Sequence, residues 1–182
     1  NPNLIFIGNE GTGKTTVAKL YAKLLKCFGF LNKSEIYIKT KSDFVGQYIG
    51  QSSILVNNVI ENSYGSLILF KNAYEFTSIN PTSIELDARD TLKKKLVEDK
   101  GKFCLVLSGN KTDMELFMQR EFYITQPHFI KILYFPNFTQ SEIYQLFINK
   151  FSASNLTLSE DADMALKFFI NSKTVERSNI TL

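Results

Sequence analysis

The sequence has no tryptophan, only two cysteines and no long apolar run. A membrane-spanning helix needs roughly 18 or more consecutive apolar residues, and no stretch of the chain reaches that length. Cys27 and Cys104 lie in apolar surroundings, which favours reduced core thiols and an intracellular compartment. We therefore expect a cytoplasmic protein, with an organelle stroma or matrix left open.

A strong charge of either sign is also absent. The 182 residues include 21 lysines and arginines and 18 aspartates and glutamates, which gives a net charge of +3. The longest basic run, 93–95, is typical of a solvated helix face, so we expect no nucleic-acid partner. The length and the 44% hydrophobic content favour one globular domain, or a core domain with a small appendage.

The start of the chain contains no signal-like segment. Asn1 and Pro2 come directly before the first apolar run. We therefore expect no targeting segment, and we expect the chain to be a fragment of a longer protein.

The run from Gly8 to Thr15 fits the phosphate-binding pattern G-x-x-x-x-G-K-[ST]. An apolar run at 4–7 predicts a buried strand before it, and apolar residues at helical spacing predict a helix after it. In that context Lys14 would reach the β- and γ-phosphates of ATP, or the β-phosphate of ADP, and the Thr15 hydroxyl would bind Mg²⁺. The alternative is a glycine-rich turn with a chance lysine. The predicted binding residues are Gly8, Asn9, Glu10, Gly11, Thr12, Gly13, Lys14, Thr15 and Thr16.

Apolar runs alternate with helical patterns along the first 136 residues. Strands are predicted at 4–7, 36–38, 67–70, 103–107 and 130–135, and helical periodicity lies between them, including one or two turns near 114–117. Such alternation predicts a doubly wound, five-stranded parallel sheet covered on both faces, which is the α/β class of a P-loop NTPase. The ligand should lie at the carboxyl ends of the strands.

The strand pattern stops after Pro136. Thr139 and Glu142 form a capping box before apolar residues at helical spacing, and Ser159 precedes a second such pattern. We predict a nucleotide-binding core at 1–136 and a small helical lid at 137–182.

Four segments carry a more specific pattern than the phosphate loop alone: 8–19, 43–51, 96–99 and 135–138. Together they resemble the AAA+ ATPases of the CbbX/CfxQ type, which include red-type rubisco activases and SpoVK-like proteins. The resemblance implies hexameric rings of identical or different AAA+ subunits and a protein substrate. It also implies that Tyr48 and Ile49, between Gly46 and Gly50, form a pore loop that grips this substrate. Packing of both side chains in the core is the alternative.

The third strand departs from the family pattern. The resemblance implies an Asp-Glu pair (Walker B) before Ala-Tyr, where the aspartate supports Mg²⁺ and the glutamate polarises water. Here Lys71 and Asn72 precede Ala73 and Tyr74. A lysine places positive charge where the cation should lie, and an asparagine is no general base, so we predict a weakened Mg²⁺ site and little hydrolysis. We expect Glu75 to point elsewhere.

Arginines implied by the resemblance are missing as well. Gln126 and His128 occupy the arginine-finger region before the fifth strand, and neither carries a permanent forked charge. For His128 a structural role is the alternative to a catalytic one, and Arg120 would substitute only after a rearrangement. Lys173 takes the place of the lid arginine that touches the γ-phosphate. Asn110, after the fourth strand, is our candidate for the first sensor.

Four functions follow as hypotheses. The first is a hydrolysis-deficient AAA+ domain with a regulatory or structural role in a ring or a tandem protein. The second is an active, chaperone-like remodelling motor that receives catalytic groups from a neighbour or from Glu75. The third is a P-loop kinase, and the fourth is an interaction module without nucleotide. The 45–50 segment argues against a kinase, and the intact phosphate loop argues against the fourth hypothesis.

Overall fold

The computed structural model describes residues 2–121, 128–129 and 131–178, of which 173–178 are described by their backbone alone. Its strands are β1 (Leu4–Gly8), β2 (Ile36–Lys39), β3 (Leu67–Lys71), β4 (Cys104–Gly109) and β5 (Lys131–Phe135). Its α-helices are α1 (Lys14–Cys27), α2 (Lys41–Phe44), α3 (Gln51–Asn62), α4 (Ser83–Glu98), α5 (Lys111–Arg120), α6 (Gln140–Ala153) and α7 (Glu160–Ser178). A 3₁₀ turn at Ala73–Glu75 follows β3.

The five strands form one parallel sheet in the order β2-β3-β4-β1-β5. The predicted doubly wound, five-stranded parallel sheet is therefore confirmed. Because all strands run the same way, the carboxyl ends of β1, β3 and β4 meet at one edge. Lys71 at the end of β3 is in register with Ser108 on β4.

Alternate residues of each strand enter two separate cores, as the two-residue period of a strand requires. On one face, Ile68 and Phe70 of β3 pack with apolar side chains of α3, α4 and α5. On the other face, Leu67 and Leu69 pack with Ala18 and other residues of α1. Burial on both faces explains the nearly continuous apolar runs of the sequence.

The described residues divide into two compact units, Asn1–Pro136 and Asn137–Leu182. In the second unit the capping box holds the start of α6, since the Glu142 N–H donates to Thr139 Oγ1 and the Thr139 N–H donates to the Glu142 carboxylate. Tyr144 of α6 donates a hydrogen bond of 2.6 Å to Asp163 of α7. Among the described residues, no helix is long and apolar enough to cross a membrane.

Two local expectations were wrong. The helix near 114–117 is ten residues long, because Asn110 caps it earlier than the apolar pattern begins. Cys27 is exposed at the end of α1, whereas Cys104 is buried as expected. The apolar spacing of α1 misled here: its small residues Ala18 and Ala22 are buried, while Leu24 is half exposed.

Candidate functional site

A cavity of about 700 Å³ lies at the edge where the carboxyl ends of β1, β3 and β4 meet. It is large enough for a small-molecule ligand. Most of its wall comes from the segment after β1, and the rest comes from the ends of β3 and β4. The lining residues are Gly8, Asn9, Glu10, Gly11, Gly13, Lys14, Thr15, Thr16, Lys71, Asn72, Tyr74, Ser108, Gly109 and Asn110.

The loop between β1 and α1 depends on its glycines. Gly11 and Gly13 have φ angles of 79° and 89°, a region that is costly for other residues. At Gly8 a Cβ atom would lie 2.7 Å from the Phe135 Cβ, so only glycine fits there. Gly13 is the N-cap of α1 and offers no side-chain cap, which leaves N–H groups of the first helical turn for an anionic ligand.

The Lys14 ammonium is held against this loop. It donates hydrogen bonds to the carbonyl oxygens of Gly8 at 2.7 Å and of Asn9 at 2.6 Å. Burial lowers the pKa of Lys14; the Glu10 carboxylate opposes that shift and the Lys71 charge adds to it. A phosphate group in the cavity would favour the charged form of Lys14, because opposite charges attract strongly at partly buried sites.

The end of β3 forms the second part of the wall. Lys71 is exposed and lines the cavity, directly after four fully buried strand residues. Asn72 has φ 51° and ψ 47°, a left-handed conformation that asparagine tolerates better than most residues. Glu75 is exposed in the following 3₁₀ turn and is not among the lining residues that the structure describes.

The end of β4 contributes polar groups that are already engaged. Asn110 caps α5: its Oδ1 accepts from the Asp113 N–H at 3.0 Å, and its Nδ2 donates to the Asp113 carboxylate at 2.7 Å. The buried Ser108 hydroxyl donates to the Phe70 carbonyl at 3.2 Å. A Cβ on Gly109 would lie 2.8 Å from Tyr74 Cδ1, so the backbone of β4 approaches this ring closely.

Sequence reasoning missed Tyr74 as a wall residue. Its ring is half-buried, and burial together with the carboxylates of Glu75, Asp113 and Glu10 raises the pKa of Tyr74, against a hydrogen bond with Asn110. The available signal was its place two residues after Asn72.

The other predicted binding residues differ in their positions. Thr16 lines the cavity, whereas the Thr12 side chain is buried and donates to the Asn9 carbonyl at 2.8 Å, so it stabilises the loop from within. Gln126 lies outside the described residues, and so does the side chain of Lys173.

His128 does not belong to the described lining of this cavity. Burial lowers its pKa, and the positive charges of Lys93 on α4 and Lys100 before β4 lower it further. Both effects favour the neutral form of the imidazole. Lys100 lies just before the amino end of β4, at the edge of the sheet opposite the cavity.

Tyr48 and Ile49 are 73% and 85% exposed. The interpretation that they pack in the core is wrong for the described structure. The loop that bears them is tied at its base, since the Gly46 N–H donates to Ser52 Oγ at 3.0 Å and the Gln47 N–H donates to Gln51 Oε1 at 2.8 Å.

Both flanks of this loop are bound to α4. Before it, Lys41 of α2 forms an ion pair of 2.5 Å with the buried Glu85. After it, the Ser53 N–H of α3 donates to Asp87 at 3.0 Å. Burial favours the neutral acid at Glu85, but hydrogen bonds from Lys41, the Thr82 backbone and Ser78 outweigh it and lower its pKa to about 2.

Comparison with known proteins places this geometry in a family. The family described as ATPase family associated with various cellular activities (AAA) matches residues 4–118. The chain belongs to this family and is an AAA+ nucleotide-binding domain of the CbbX/CfxQ and SpoVK type, as the resemblance implied.

Two relatives and one structure define the degree of similarity. Stage V sporulation protein K of Bacillus subtilis (strain 168) is 28% identical over 168 residues, which cover 92% of this chain and 52% of that protein. Protein CbbX of Cereibacter sphaeroides is 28% identical over 171 residues, which cover 92% of this chain and 54% of that protein. The crystal structure of the FIGL-1 AAA domain in complex with ADP matches with a TM-score of 0.59 at 14% identity. The match covers 93% of this chain and 53% of that chain, and it shows that the two share a fold. The chain spans about half the length of these two relatives.

Proposed function

We propose that this chain is an AAA+ nucleotide-binding domain that hydrolyses ATP very slowly or not at all. The observation that carries the proposal is a contrast within one cavity. The phosphate loop presents Lys14 and uncapped helix N–H groups, while the end of β3 presents Lys71 and Asn72. A phosphate-binding surface thus adjoins a strand end without a carboxylate.

Hydrolysis requires that the attacking water is oriented or deprotonated and that charge on the transferred phosphoryl group is neutralised. The Asn72 amide is no base, and Glu75 is outside the described lining. His128, whose pKa is lowered by burial and nearby lysines, would bring no permanent charge to a neighbouring subunit. Because neither activation of the water nor neutralisation of the phosphoryl charge is provided, we expect the rate of ATP hydrolysis to be at background.

We further propose a regulatory or structural role for the domain, as one subunit of an oligomeric ring or one domain of a tandem AAA+ protein. Its ligand would be ATP or ADP, with Mg²⁺ held weakly and with Lys173 in a helical lid at 137–182. Its partners would be other AAA+ subunits, identical or different, in a hexamer. The free thiols suit a reducing compartment such as the cytoplasm.

The experiment combines nucleotide-binding calorimetry with steady-state ATPase assays on the unmodified domain and on Lys14→Ala. The unmodified domain should bind ATP or ADP and show phosphate release indistinguishable from buffer. Robust turnover that disappears in Lys14→Ala would overturn the proposal.

An active remodelling motor is the second candidate. The observation that favours it is the exposure of Tyr48 and Ile49 on an anchored loop, which suits contact with a protein substrate. This candidate requires catalytic groups from a neighbouring subunit. ATPase activity that rises steeply with protein concentration would favour it over the first proposal.

A further inference from the structure

Lys71 is the feature of the cavity that the family pattern does not account for. Its Cα is in register with Ser108 of β4, so it lies one strand away from β4 and two strands away from the phosphate loop that follows β1. It lines the same cavity as Lys14. The charged side chains of the described lining are therefore two ammonium groups and a single carboxylate, that of Glu10.

The residues present do not fit a carboxylate-supported Mg²⁺ ion. Mg²⁺ in phosphate sites is bound through one or two carboxylates, substrate phosphates and waters. Thr15 supplies a hydroxyl, but the end of β3 supplies an ammonium in place of a carboxylate. The remaining carboxylate, Glu10, is on the exposed phosphate loop, and its charge acts on Lys14.

The ammonium of Lys71 is well placed to interact with an anion. Among the described residues, no salt bridge involves it. Its charge disfavours the protonated form of Lys14, so two like charges lie within electrostatic reach of each other. A polyphosphate between them would turn this repulsion into two attractions.

We propose that Lys71 takes the place of the divalent cation, so that this domain binds metal-free ATP. This inference rests on the proposed nucleotide-binding function and names its ligand more closely. Lys71 would determine specificity for the metal-free form of the nucleotide. Mg²⁺ on the phosphates would compete with the ammonium, so added Mg²⁺ should give no gain in affinity.

The test measures ATP affinity by calorimetry in EDTA and in excess MgCl₂. The variants are Lys71→Gln, which removes the charge, and Lys71→Asp, which restores the family residue. Lys23→Gln is the matched control, because Lys23 is an exposed α1 lysine that makes the same change in net charge outside the described lining. Lys71 is exposed, and thermal melting will verify that each variant is folded.

The unmodified domain should bind ATP at least as tightly in EDTA as in MgCl₂. Lys71→Gln should lose about tenfold in affinity in EDTA, Lys23→Gln should match the parent, and Lys71→Asp should bind tightly only with Mg²⁺. Tighter binding of the parent in MgCl₂, or a loss in Lys71→Gln no larger than in Lys23→Gln, would overturn the inference alone. Absence of ATP and ADP binding in both buffers would instead defeat the proposed function.

Discussion

The cavity has two different walls: the loop after β1 and the end of β3. After β1, every residue type that a phosphate loop requires is present, and the backbone takes the conformation that those glycines permit. After β3, Lys71 and Asn72 occupy the positions at which the resemblance implies two acids. The comparison teaches that the backbone of a site can be kept while the charge of its side chains changes. The buried core determines the backbone conformation, whereas the charged residues lie at exposed strand ends.

The burial pattern of β3 explains how this separation is possible. The four residues of β3 before Lys71 are fully buried, while Lys71 itself is exposed. A change of the exposed side chain at position 71 therefore leaves the buried side chains of β3 in place. Substitutions at such exposed positions usually change stability by less than about 0.5 kcal/mol, so a charge reversal there is compatible with an unchanged fold.

The largest expected effect comes from making the two walls alike. Lys71→Asp with Asn72→Glu should strengthen binding of Mg²⁺–ATP but give little turnover, since the sequence has Gln126 and His128 where the resemblance implies an arginine finger. Adding His128→Arg should raise turnover by about 10³-fold or more, the contribution typical of such a finger. The gain should appear only at protein concentrations where subunits assemble, and it is measured as phosphate release against concentration.

Two controls accompany this series. The triple variant that also carries Lys14→Ala should return to background, and thermal melting should show that the left-handed position 72 accepts glutamate. High turnover in the double variant without His128→Arg would show that the end of β3 is the sole defect of the site.

The next effect tests the intact wall of the cavity. Lys14→Ala should weaken ATP binding at least about tenfold, because it removes a charge that would otherwise contact the terminal phosphates. Calorimetry measures the loss, with Lys23→Gln as the surface-charge control. Equal affinities of Lys14→Ala and the parent would mean that the nucleotide binds elsewhere.

The smallest effect concerns the 45–50 loop, the other segment that matches the family. Tyr48→Ala should change the free energy of unfolding by less than about 0.5 kcal/mol, since the ring is exposed. The matched control is Phe44→Ala, which should cost about 3–5 kcal/mol, because this ring is fully buried and its centroid lies 4.6 Å from that of Phe70. Urea denaturation compares the two. A Tyr48→Ala cost near that of Phe44→Ala would end the pore-loop proposal.

The sheet was predictable because its strands are buried on both faces. A strand such as 67–70 must then be apolar at every position. Five such strands that alternate with helices are compatible with few sheet topologies. The phosphate-binding pattern likewise predicted the loop at Gly8–Thr15. Helix extents were less predictable: α5 begins with the polar residues Lys111 and Thr112, which carry no apolar period, and only its Asn110 cap reveals the start.

The cavity was predictable in its phosphate loop and less so in its other walls. Tyr74 became a wall residue because β4 has glycine at position 109, and such a contact between distant segments leaves no local pattern. The exposure of Cys27 was equally hidden, because its apolar neighbours Leu24 and Phe28 are themselves on the outer face of α1. Periodicity gives the face of a helix only when small buried residues such as Ala18 are counted with the large ones.

The ion pair between Lys41 and Glu85 also makes the attachment of the loop that bears Tyr48 dependent on pH. Because the pKa of Glu85 is lowered from its ordinary 4.5 to about 2, ionisation of this carboxylate stabilises the folded state. The contribution is complete above pH 4.5 and is lost as the pH falls from there toward 2. Acid would thus loosen the attachment of α2 to α4 through a single protonation, at a carboxylate remote from the phosphate loop in sequence.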